Sequence, residues 1–189
     1  MGVAERKLRE RAEREGRIVD AARAIAEAEG WPAVTIRRLA TEIEYSQPVL
    51  YSHFDNREAI VAAVAVEGFR RLTAALDAAV SGSSDRAQAS RSAALAYLAF
   101  AGANPAVYEA MFALPTGLHF AQPEAQPELS AAFATLADIV APSADDKDAF
   151  TETFWAALHG LAELERAGRI RADAREARVQ LLVQGLIGG

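Results

Sequence analysis

Side chains that can donate and accept hydrogen bonds are concentrated in one short stretch, Gln47–Arg57, of this 189-residue chain. Gln47, Ser52 and His53 are polar and Tyr51 carries a hydroxyl group, whereas the apolar residues of the stretch are few. A segment of this composition leaves one face free to form hydrogen bonds with a partner. The chemistry that it favours is recognition through hydrogen bonds.

No pattern typical of an enzyme or a metal site occurs in the sequence. The three histidines, His53, His119 and His159, are far apart and fit neither HExxH nor a similar metal-ligand spacing. The phosphate-binding loop, the dinucleotide-binding glycine pattern and GxSxG are absent. Cysteine is absent too, which excludes disulfides, thiolate nucleophiles and cysteine-based metal sites. We therefore predict no catalytic residue, no metal and no cofactor.

Two short predicted helices position the polar stretch. Ile36, Leu39, Ala40 and Ile43 recur at helical spacing, so Thr35–Glu44 is predicted to be an amphipathic helix. Thr35 is a good N-cap, because its hydroxyl group can accept a hydrogen bond from a first-turn N–H. The first element of the pair is therefore a short helix that buries one face.

The second helix follows a tight turn at Glu44-Tyr45-Ser46 and ends at about His53. Pro48 is tolerated only in a first turn and disfavours a helical conformation of Gln47, which leaves the N-cap open between Ser46 and Gln47. Two short helices with a tight turn, the second carrying hydrogen-bonding side chains near its N-terminus, are typical of the helix-turn-helix. That motif inserts its second helix into the DNA major groove.

The stretch resembles the DNA-binding domain of the TetR family of transcriptional regulators over about residues 12–75. The matching features are the pair Leu39-Ala40, the turn, the sequence Leu50-Tyr51-Ser52-His53-Phe54 and the start of the next helix at Asn56-Arg57-Glu58. The family usually has Gly in the turn where this chain has Glu44. Because a Cβ is disfavoured at positive φ, we expect either backbone strain at Glu44 or a turn that differs slightly from the usual one.

The resemblance implies which residues contact DNA. Gln47 is expected to pair with an adenine edge, Pro48 and Val49 to pack against thymine methyl groups, and Arg37 to reach a base. The residues expected at phosphates are Tyr51, His53 and Arg57. The complete set is Thr35, Arg37, Ser46, Gln47, Pro48, Val49, Tyr51, Ser52, His53 and Arg57. The alternative, that these polar groups only solvate an exposed helix, is disfavoured by the ordered match.

The net charge of −6 is unevenly distributed. Residues 1–57 hold ten basic and ten acidic residues, whereas residues 58–189 hold ten and sixteen. Within Arg6–Arg17 there are six basic and three acidic residues. The acidity thus lies outside the helix-turn-helix, as expected if only one end of the molecule meets phosphate. Interleaved Arg and Glu at helical spacing also fit a solvated, salt-bridged helix surface.

The rest of the chain predicts an all-α protein of about nine helices. Residues 1 to about 10 are expected to form a mobile arm, and the first helix to run from about Arg11 to Glu29. Asp55 and Glu58 form a capping-box arrangement before a long helix that ends at about Val80. The predicted domains are a helix-turn-helix domain (1–56), a connecting helix (57–80) and a ligand-binding and dimerisation domain (81–189). The charged N-terminus and the lack of a membrane-spanning run predict a cytoplasmic protein.

The C-terminal half contains a second, shorter resemblance. Phe154-Trp155-Ala156-Ala157-Leu158-His159-Gly160 resembles the W-x-x-x-H-G pattern of one class of TetR-family regulatory domains. An apolar pocket between helices would suit a small, largely apolar effector. The candidate ligand-binding residues are Phe69, Tyr97, Phe100, Tyr108, Met111, Phe112, His119, Phe120, Trp155 and His159. The alternative is that these side chains, like Trp31, form the core.

Apolar stripes on the last two long helices predict a dimer surface formed by a four-helix contact between two copies. The residues of these stripes are Leu158, Leu161, Leu164, Val179, Leu182, Val183 and Leu186. We predict a TetR-like regulator, a repressor, that binds a palindromic double-stranded DNA operator as a homodimer and is released by a small effector. The alternative, which Glu44 and the net acidity favour, is a helical module that binds small molecules or proteins and has lost specific DNA binding.

Overall fold

A computed structural model of the chain describes residues 2–118, 126–141 and 146–187. These ranges contain nine α-helices and no strand, which confirms the all-α prediction. The helices are α1 (Val3–Glu29), α2 (Ile36–Glu42), α3 (Gln47–Tyr51), α4 (Arg57–Val80), α5 (Arg86–Ala103), α6 (Pro105–Phe112), α7 (Pro127–Val140), α8 (Lys147–Arg166) and α9 (Arg175–Leu186). Single 3-10 turns lie at Trp31–Ala33 and Ala172–Ala174. No helix within the described ranges is both long enough and apolar enough to cross a membrane.

The chain forms two compact units. The first comprises the described residues of Met1–Gly68 and Ala106–Leu118, and the second those of Phe69–Pro105 and His119–Gly189. α4 therefore runs through both units, and nearly all of α6 belongs to the first. The boundaries of the predicted domains (1–56, 57–80 and 81–189) differ from the boundaries of these two units. The predicted division into DNA-binding, connecting and ligand-binding parts stays a prediction.

The first unit has an apolar core that α1, α2, α3, the first half of α4 and α6 share. Ile18 and Leu50 are fully buried, and Trp31 is 3% exposed, which confirms the prediction that Trp31 is a core residue. The Trp31 indole N–H donates to the carbonyl oxygen of Ala106 at 2.9 Å. A Cβ at Gly68 would lie only 2.6 Å from Cγ1 of Val107, so glycine permits the close approach of α4 and α6.

The start of α1 differs from the prediction. The helix begins at Val3, so the predicted mobile arm is wrong within the described residues. The buried apolar periodicity that located the helix begins only at Ile18, because the preceding turns are mostly charged and their few apolar residues, such as Val3 and Leu8, are exposed. The predicted end is confirmed, because α1 ends at Glu29 and Gly30 has φ +82°.

The start of α4 needs a smaller correction. The side chain of Asn56, rather than that of Asp55, caps the helix, because the Asn56 Oδ1 accepts a hydrogen bond from the Ala59 N–H at 2.8 Å. Both residue types are common helix caps, and their order in the chain did not distinguish between them.

α5 is the central helix of the second unit and packs against α7, α8 and α9. Tyr97 and Leu98 of α5 are 1% exposed, and Phe154 of α8 is fully buried. Part of the predicted dimer surface also lies in this core: Leu158 and Val179 are 0% exposed and Val183 is 5% exposed. These three side chains pack against their own chain and are not available to a partner, which corrects their predicted role.

Candidate nucleic-acid interface and effector region

Local hydrogen bonds define the helix-turn-helix in the first unit. Thr35 is the N-cap of α2, as predicted, and its hydroxyl oxygen accepts from the Arg38 N–H at 3.1 Å. Ser46 is the N-cap of α3 and has extended backbone angles (φ −79°, ψ 151°), so the choice left open between Ser46 and Gln47 falls on Ser46. Pro48 lies in the first turn of α3, where its missing N–H leaves no hydrogen bond unmade.

The turn between α2 and α3 places Glu44 in the left-handed region with φ +56°. The expectation of a positive φ at this non-glycine position is thus confirmed. The following residue closes the turn, because the Tyr45 N–H donates to the carbonyl oxygen of Ala40 at 2.9 Å. A left-handed conformation costs a residue with a side chain about 1–2 kcal/mol, so the turn stores strain that Gly would not have.

α1 supports the turn from the side. The Arg17 Nη1 donates to the Tyr45 hydroxyl oxygen at 2.9 Å, and its guanidinium group lies 4.9 Å from the centre of the Tyr45 ring. These residues are 28 positions apart in the sequence, so local patterns could not indicate the contact. Arg17 therefore fixes the position from which α3 begins.

α3 buries one side and exposes the other. Leu50 is fully buried, whereas Tyr51 is 52% exposed. Seven of the ten predicted DNA-contact residues are exposed and lie close together in α2 and α3 or next to them, and Val49 beside them is partly exposed. The seven are Thr35, Arg37, Ser46, Gln47, Pro48, Tyr51 and Ser52. The exposed side of α3 thus presents an amide, three hydroxyl groups and a proline ring to a partner.

His53 does not belong to this exposed set. Its side chain is only 6% exposed, and Nδ1 lies 3.3 Å from Oε1 of Glu15 on α1. Burial raises the pKa of Glu15, but the hydrogen bonds and charges of Arg11 and His53 outweigh it and bring that pKa below its usual value. The predicted phosphate contact of His53 is therefore replaced by a contact that joins the segment after α3 to α1.

Arg57 likewise has an internal role. Its Nε donates to the carbonyl oxygen of Val34 and its Nη2 to that of Trp31, both at 2.7 Å. The side chain thereby joins the start of α4 to the segment before α2, and its charge pairs with Glu58 at 3.8 Å. Because Nε and Nη2 donate to backbone carbonyl oxygens within the unit, we assign Arg57 a positioning role in place of its predicted phosphate contact.

Arg37 and Arg38 are neighbours with different surroundings. Arg38 pairs with Glu29 at 3.0 Å and with Glu42 at 3.5 Å. Arg37 is exposed and forms no ion pair within the described part of the chain. Of these two residues, Arg37 is therefore the one whose guanidinium group no carboxylate engages within the described residues, and its contact with a base stays a prediction.

The candidate effector residues are divided between the two units. Tyr108, Met111 and Phe112 belong to the first unit, and Phe69, Tyr97, Phe100, Trp155 and His159 to the second. His119 and Phe120 lie outside the described residues. Phe69, Tyr97, Phe100, Tyr108 and Met111 are no more than 7% exposed, as core residues are. Only Phe112, Trp155 and His159 are half-buried.

Trp155 and His159 lie side by side on α8. The Trp155 Nε1 donates to the Tyr97 hydroxyl oxygen at 3.0 Å, and the Trp155 and His159 rings are 6.4 Å apart. Burial lowers the pKa of His159, although Glu163 acts in the opposite direction. The imidazole is therefore neutral at pH 7 and can both donate and accept a hydrogen bond.

A cleft of about 610 Å³ opens in the second unit between α5, the end of α8 and the segment that leads into α9. Its wall contains small apolar residues, among them Ala101, Gly102 and Ala162, together with the charged side chains of Arg166 and Arg175. Among the described residues, none of those predicted to bind the effector lines this cleft, because they were chosen mainly as aromatic side chains and the described wall has none. Among the described residues, no group of His, Asp or Glu side chains is arranged to hold a metal ion.

Two family descriptions match the chain. Residues 18–64 match "Bacterial regulatory proteins, tetR family", and residues 90–186 match "Tetracyclin repressor-like, C-terminal domain". An uncharacterised HTH-type transcriptional regulator of Mycobacterium tuberculosis is 31% identical over 153 residues, which span 80% of this chain and 69% of that protein.

Solved structures have the same fold. A protein of unknown function from Rhodococcus is 25% identical, with a TM-score of 0.74 over 91% of this chain and 94% of that one. A TetR variant from Acinetobacter baumannii in complex with minocycline has a TM-score of 0.67 over 92% and 94% of the two chains, and at 17% identity this likeness shows the fold alone. The exposed helix-turn-helix and both matching domains agree: the chain belongs to the TetR family of DNA-binding transcriptional regulators, which are not enzymes.

Proposed function

We propose that this regulator is a cytoplasmic repressor that binds a palindromic operator as a homodimer and leaves it when a small effector binds. One observation carries the proposal: α3 is held by Leu50 on one side, while Gln47, Pro48 and Tyr51 on the other are exposed. A helix with this division can enter the major groove without rearranging the unit that bears it.

Base recognition is assigned to four side chains. The Gln47 amide can form two hydrogen bonds with adenine, Pro48 and Val49 can pack against thymine methyl groups, and Arg37 can bind a base acceptor. Hydroxyl groups at Thr35, Ser46, Tyr51 and Ser52 suit phosphate oxygens, which set the register without recognising sequence. His53 and Arg57 act indirectly, because they hold α3 and α4 in place.

Dimerisation is assigned to the partly exposed leucines of α8 and α9. Leu164 is 44% exposed and Leu181 is 69% exposed, and Leu161, Leu182 and Leu186 are partly buried. Leu181 was not among the predicted residues. A second copy that covers these leucines would bring two recognition helices together, about 34–36 Å apart, as a palindrome requires.

We assign effector binding to the second unit. The effector would bind either beside Trp155 and His159 or in the 610 Å³ cleft. The cleft includes Pro105, the first residue of α6. The next two residues are held within the first unit, where the Glu27 carboxylate accepts from the Ala106 N–H at 3.1 Å and from the Val107 N–H at 3.0 Å. A ligand that displaces Pro105 would thus act on a helix start that α1 holds.

The proposal is tested by selecting sequences from a pool of random duplexes with the purified protein and measuring affinities by fluorescence anisotropy. We expect a two-fold symmetric consensus bound with dimer stoichiometry. Gln47→Ala should lower the preference for that consensus by about 1–3 kcal/mol, because a paired base loses both hydrogen bonds.

Arg37→Ala and Arg38→Ala form a matched pair for the same measurement. Only Arg37→Ala should weaken binding, because Arg38 is engaged by Glu29 and Glu42. If no sequence is enriched and affinity does not depend on salt, the proposal fails, and the alternative of a helical binding module without specific DNA recognition is supported.

A further inference from the structure

α1 extends far beyond the core of the first unit. Its first buried residue is Ile18, yet the helix begins at Val3, about four turns earlier. Every residue from Gly2 to Arg14 is exposed. Packing within the described chain therefore does not explain this extension, and its surface is free to meet a partner.

The extension has a basic side that continues the buried side of α1. Lys7, Arg11 and Arg14 precede Ile18 by eleven, seven and four residues, about three, two and one helical turns. They consequently lie on the side of α1 from which Ile18 packs into the helix-turn-helix unit. Arg9 lies on the opposite side.

Two contacts place this basic side relative to α3. Glu15 is next to His53, just after α3, and Arg17 is bonded to Tyr45, just before it. Residues 15–17 of α1 are therefore beside both ends of the recognition helix. The preceding turns of α1, with Lys7, Arg11 and Arg14, extend beyond it.

The three cations are not neutralised equally. Lys7 and Arg14 form no ion pair within the described ranges, and Arg11 is held by Glu15 at 2.8 Å. Away from this side, Arg6 pairs with Glu10 at 3.6 Å. The side that continues toward the helix-turn-helix thus carries two unpaired cations, Lys7 and Arg14, whereas the opposite side carries one, Arg9.

We propose that Lys7 and Arg14 bind phosphates of the DNA that flanks the half-site recognised by α3. The inference rests on the proposed function, because it requires α3 to lie on DNA. The helix rises about 16 Å between Val3 and Arg14, which corresponds to about five base pairs. The contacts are sequence-independent, since phosphates are alike at every base pair.

The test compares Lys7→Gln/Arg14→Gln with the control Arg6→Gln/Arg9→Gln, which removes two charges from other sides of the same exposed segment. Binding to a random 30-base-pair duplex and to the selected consensus is measured by anisotropy between about 50 and 200 mM salt. The Lys7/Arg14 variant should bind both duplexes more weakly, and its slope of log K against log salt should be shallower by about 1.8. The ratio of the wild-type affinity to the variant affinity should therefore fall about twelvefold over this salt range.

A second duplex, cut back to the two half-sites, checks the location. The wild type should lose affinity when the flanks are removed, and the Lys7/Arg14 variant should not. Equal losses in the test and control variants, or no change in slope in either, would overturn the inference. If the inference about α1 fails, the wild type should still select a consensus sequence from the random pool. If the proposed function fails, the wild type should select no sequence. The two failures are therefore distinguishable.

Discussion

At the scale of single residues, side-chain type predicts less than side-chain surroundings. Arg37, Arg38 and Arg57 all lie in the helix-turn-helix region, yet Arg37 is the one of the three that forms no ion pair within the described residues. Arg38 pairs with two carboxylates, and Arg57 binds two carbonyl oxygens. A guanidinium group near DNA is thus not by itself a DNA contact.

Glu44→Gly should stabilise the protein. The residue has φ +56°, and Gly removes the steric cost of the left-handed conformation, although it adds flexibility to the unfolded chain. We expect the free energy of unfolding to rise by about 1 kcal/mol, measured by urea denaturation at constant m. Glu44→Gln is the control, because it removes the charge and keeps the Cβ. An equal gain in both variants would show that charge, not strain, is responsible.

Arg57→Ala should destabilise the first unit by about 2 kcal/mol, because two charge-assisted hydrogen bonds are lost and two carbonyl oxygens lose their donors. Thermal unfolding of the purified variant measures the effect, and Arg37→Ala, which removes an exposed arginine, should leave the midpoint unchanged. If Arg57→Ala keeps full stability but loses affinity for all DNA sequences, the phosphate role first predicted for Arg57 is the right one.

At the scale of elements, ion pairs hold the end of α8 to the start of α9. Glu165 is 8% exposed, and its carboxylate pairs with Arg175 and with Arg178, each at 2.6 Å. Burial raises the pKa of Glu165, but the hydrogen bonds and charges of the two arginines outweigh it and bring that pKa below its usual value. The ionised carboxylate is therefore the form that stabilises the folded state.

Because the folded-state pKa is lowered, this contribution is present above about pH 4.5, the ordinary value, and is lost as the pH falls through the folded-state pKa. Glu165→Gln should lower the free energy of unfolding by about 2 kcal/mol at pH 7, a value that allows for partly exposed arginines. The difference from the wild type should shrink in acid. A difference that stays constant down to pH 3 in urea titrations would contradict this assignment.

At the scale of the whole molecule, the proposed dimer depends on leucines that the chain leaves uncovered. Leu164 follows three residues after Leu161 on α8 and adjoins Glu165, and Leu182 lies about one turn after Arg178 on α9. The ion pair of Glu165 with Arg178 thus joins the two helices that carry these leucines. Leu164 is 44% exposed, and Leu161 and Leu182 are partly exposed, in the described part of the chain. A second copy is the partner that the proposed palindromic operator requires.

Leu164→Glu should weaken the dimer by at least about 3 kcal/mol, about a hundredfold in Kd, because it would bury an unpaired charge. Analytical ultracentrifugation measures the change, and operator affinity should fall with it. Leu8→Glu is the matched control for the ultracentrifugation alone, since Leu8 is also an exposed leucine, 69% accessible, on another helix, and its segment of α1 is the one proposed to meet DNA phosphates. A Leu164→Glu variant that remains dimeric would move the interface away from α8.

The sequence by itself determined the helices, the helix-turn-helix and the strain at Glu44. These follow from periodicity, caps and turn residues that act within a few positions, as the Thr35 cap and the turn at Glu44 show. Family membership rests on the same ordered local pattern.

Only the tertiary structure decided which residues of that pattern remain free. The contacts of Arg57 with Trp31, of His53 with Glu15 and of Trp31 with Ala106 join residues 26, 38 and 75 positions apart. Leu158 and Val183 were likewise moved from the predicted surface into the core by packing against α5 and its neighbours. The local sequence around an apolar or charged residue is the same whether its side chain contacts its own chain, a second copy or DNA. Which of these contacts forms depends on the path of the folded chain, because that path brings distant residues together.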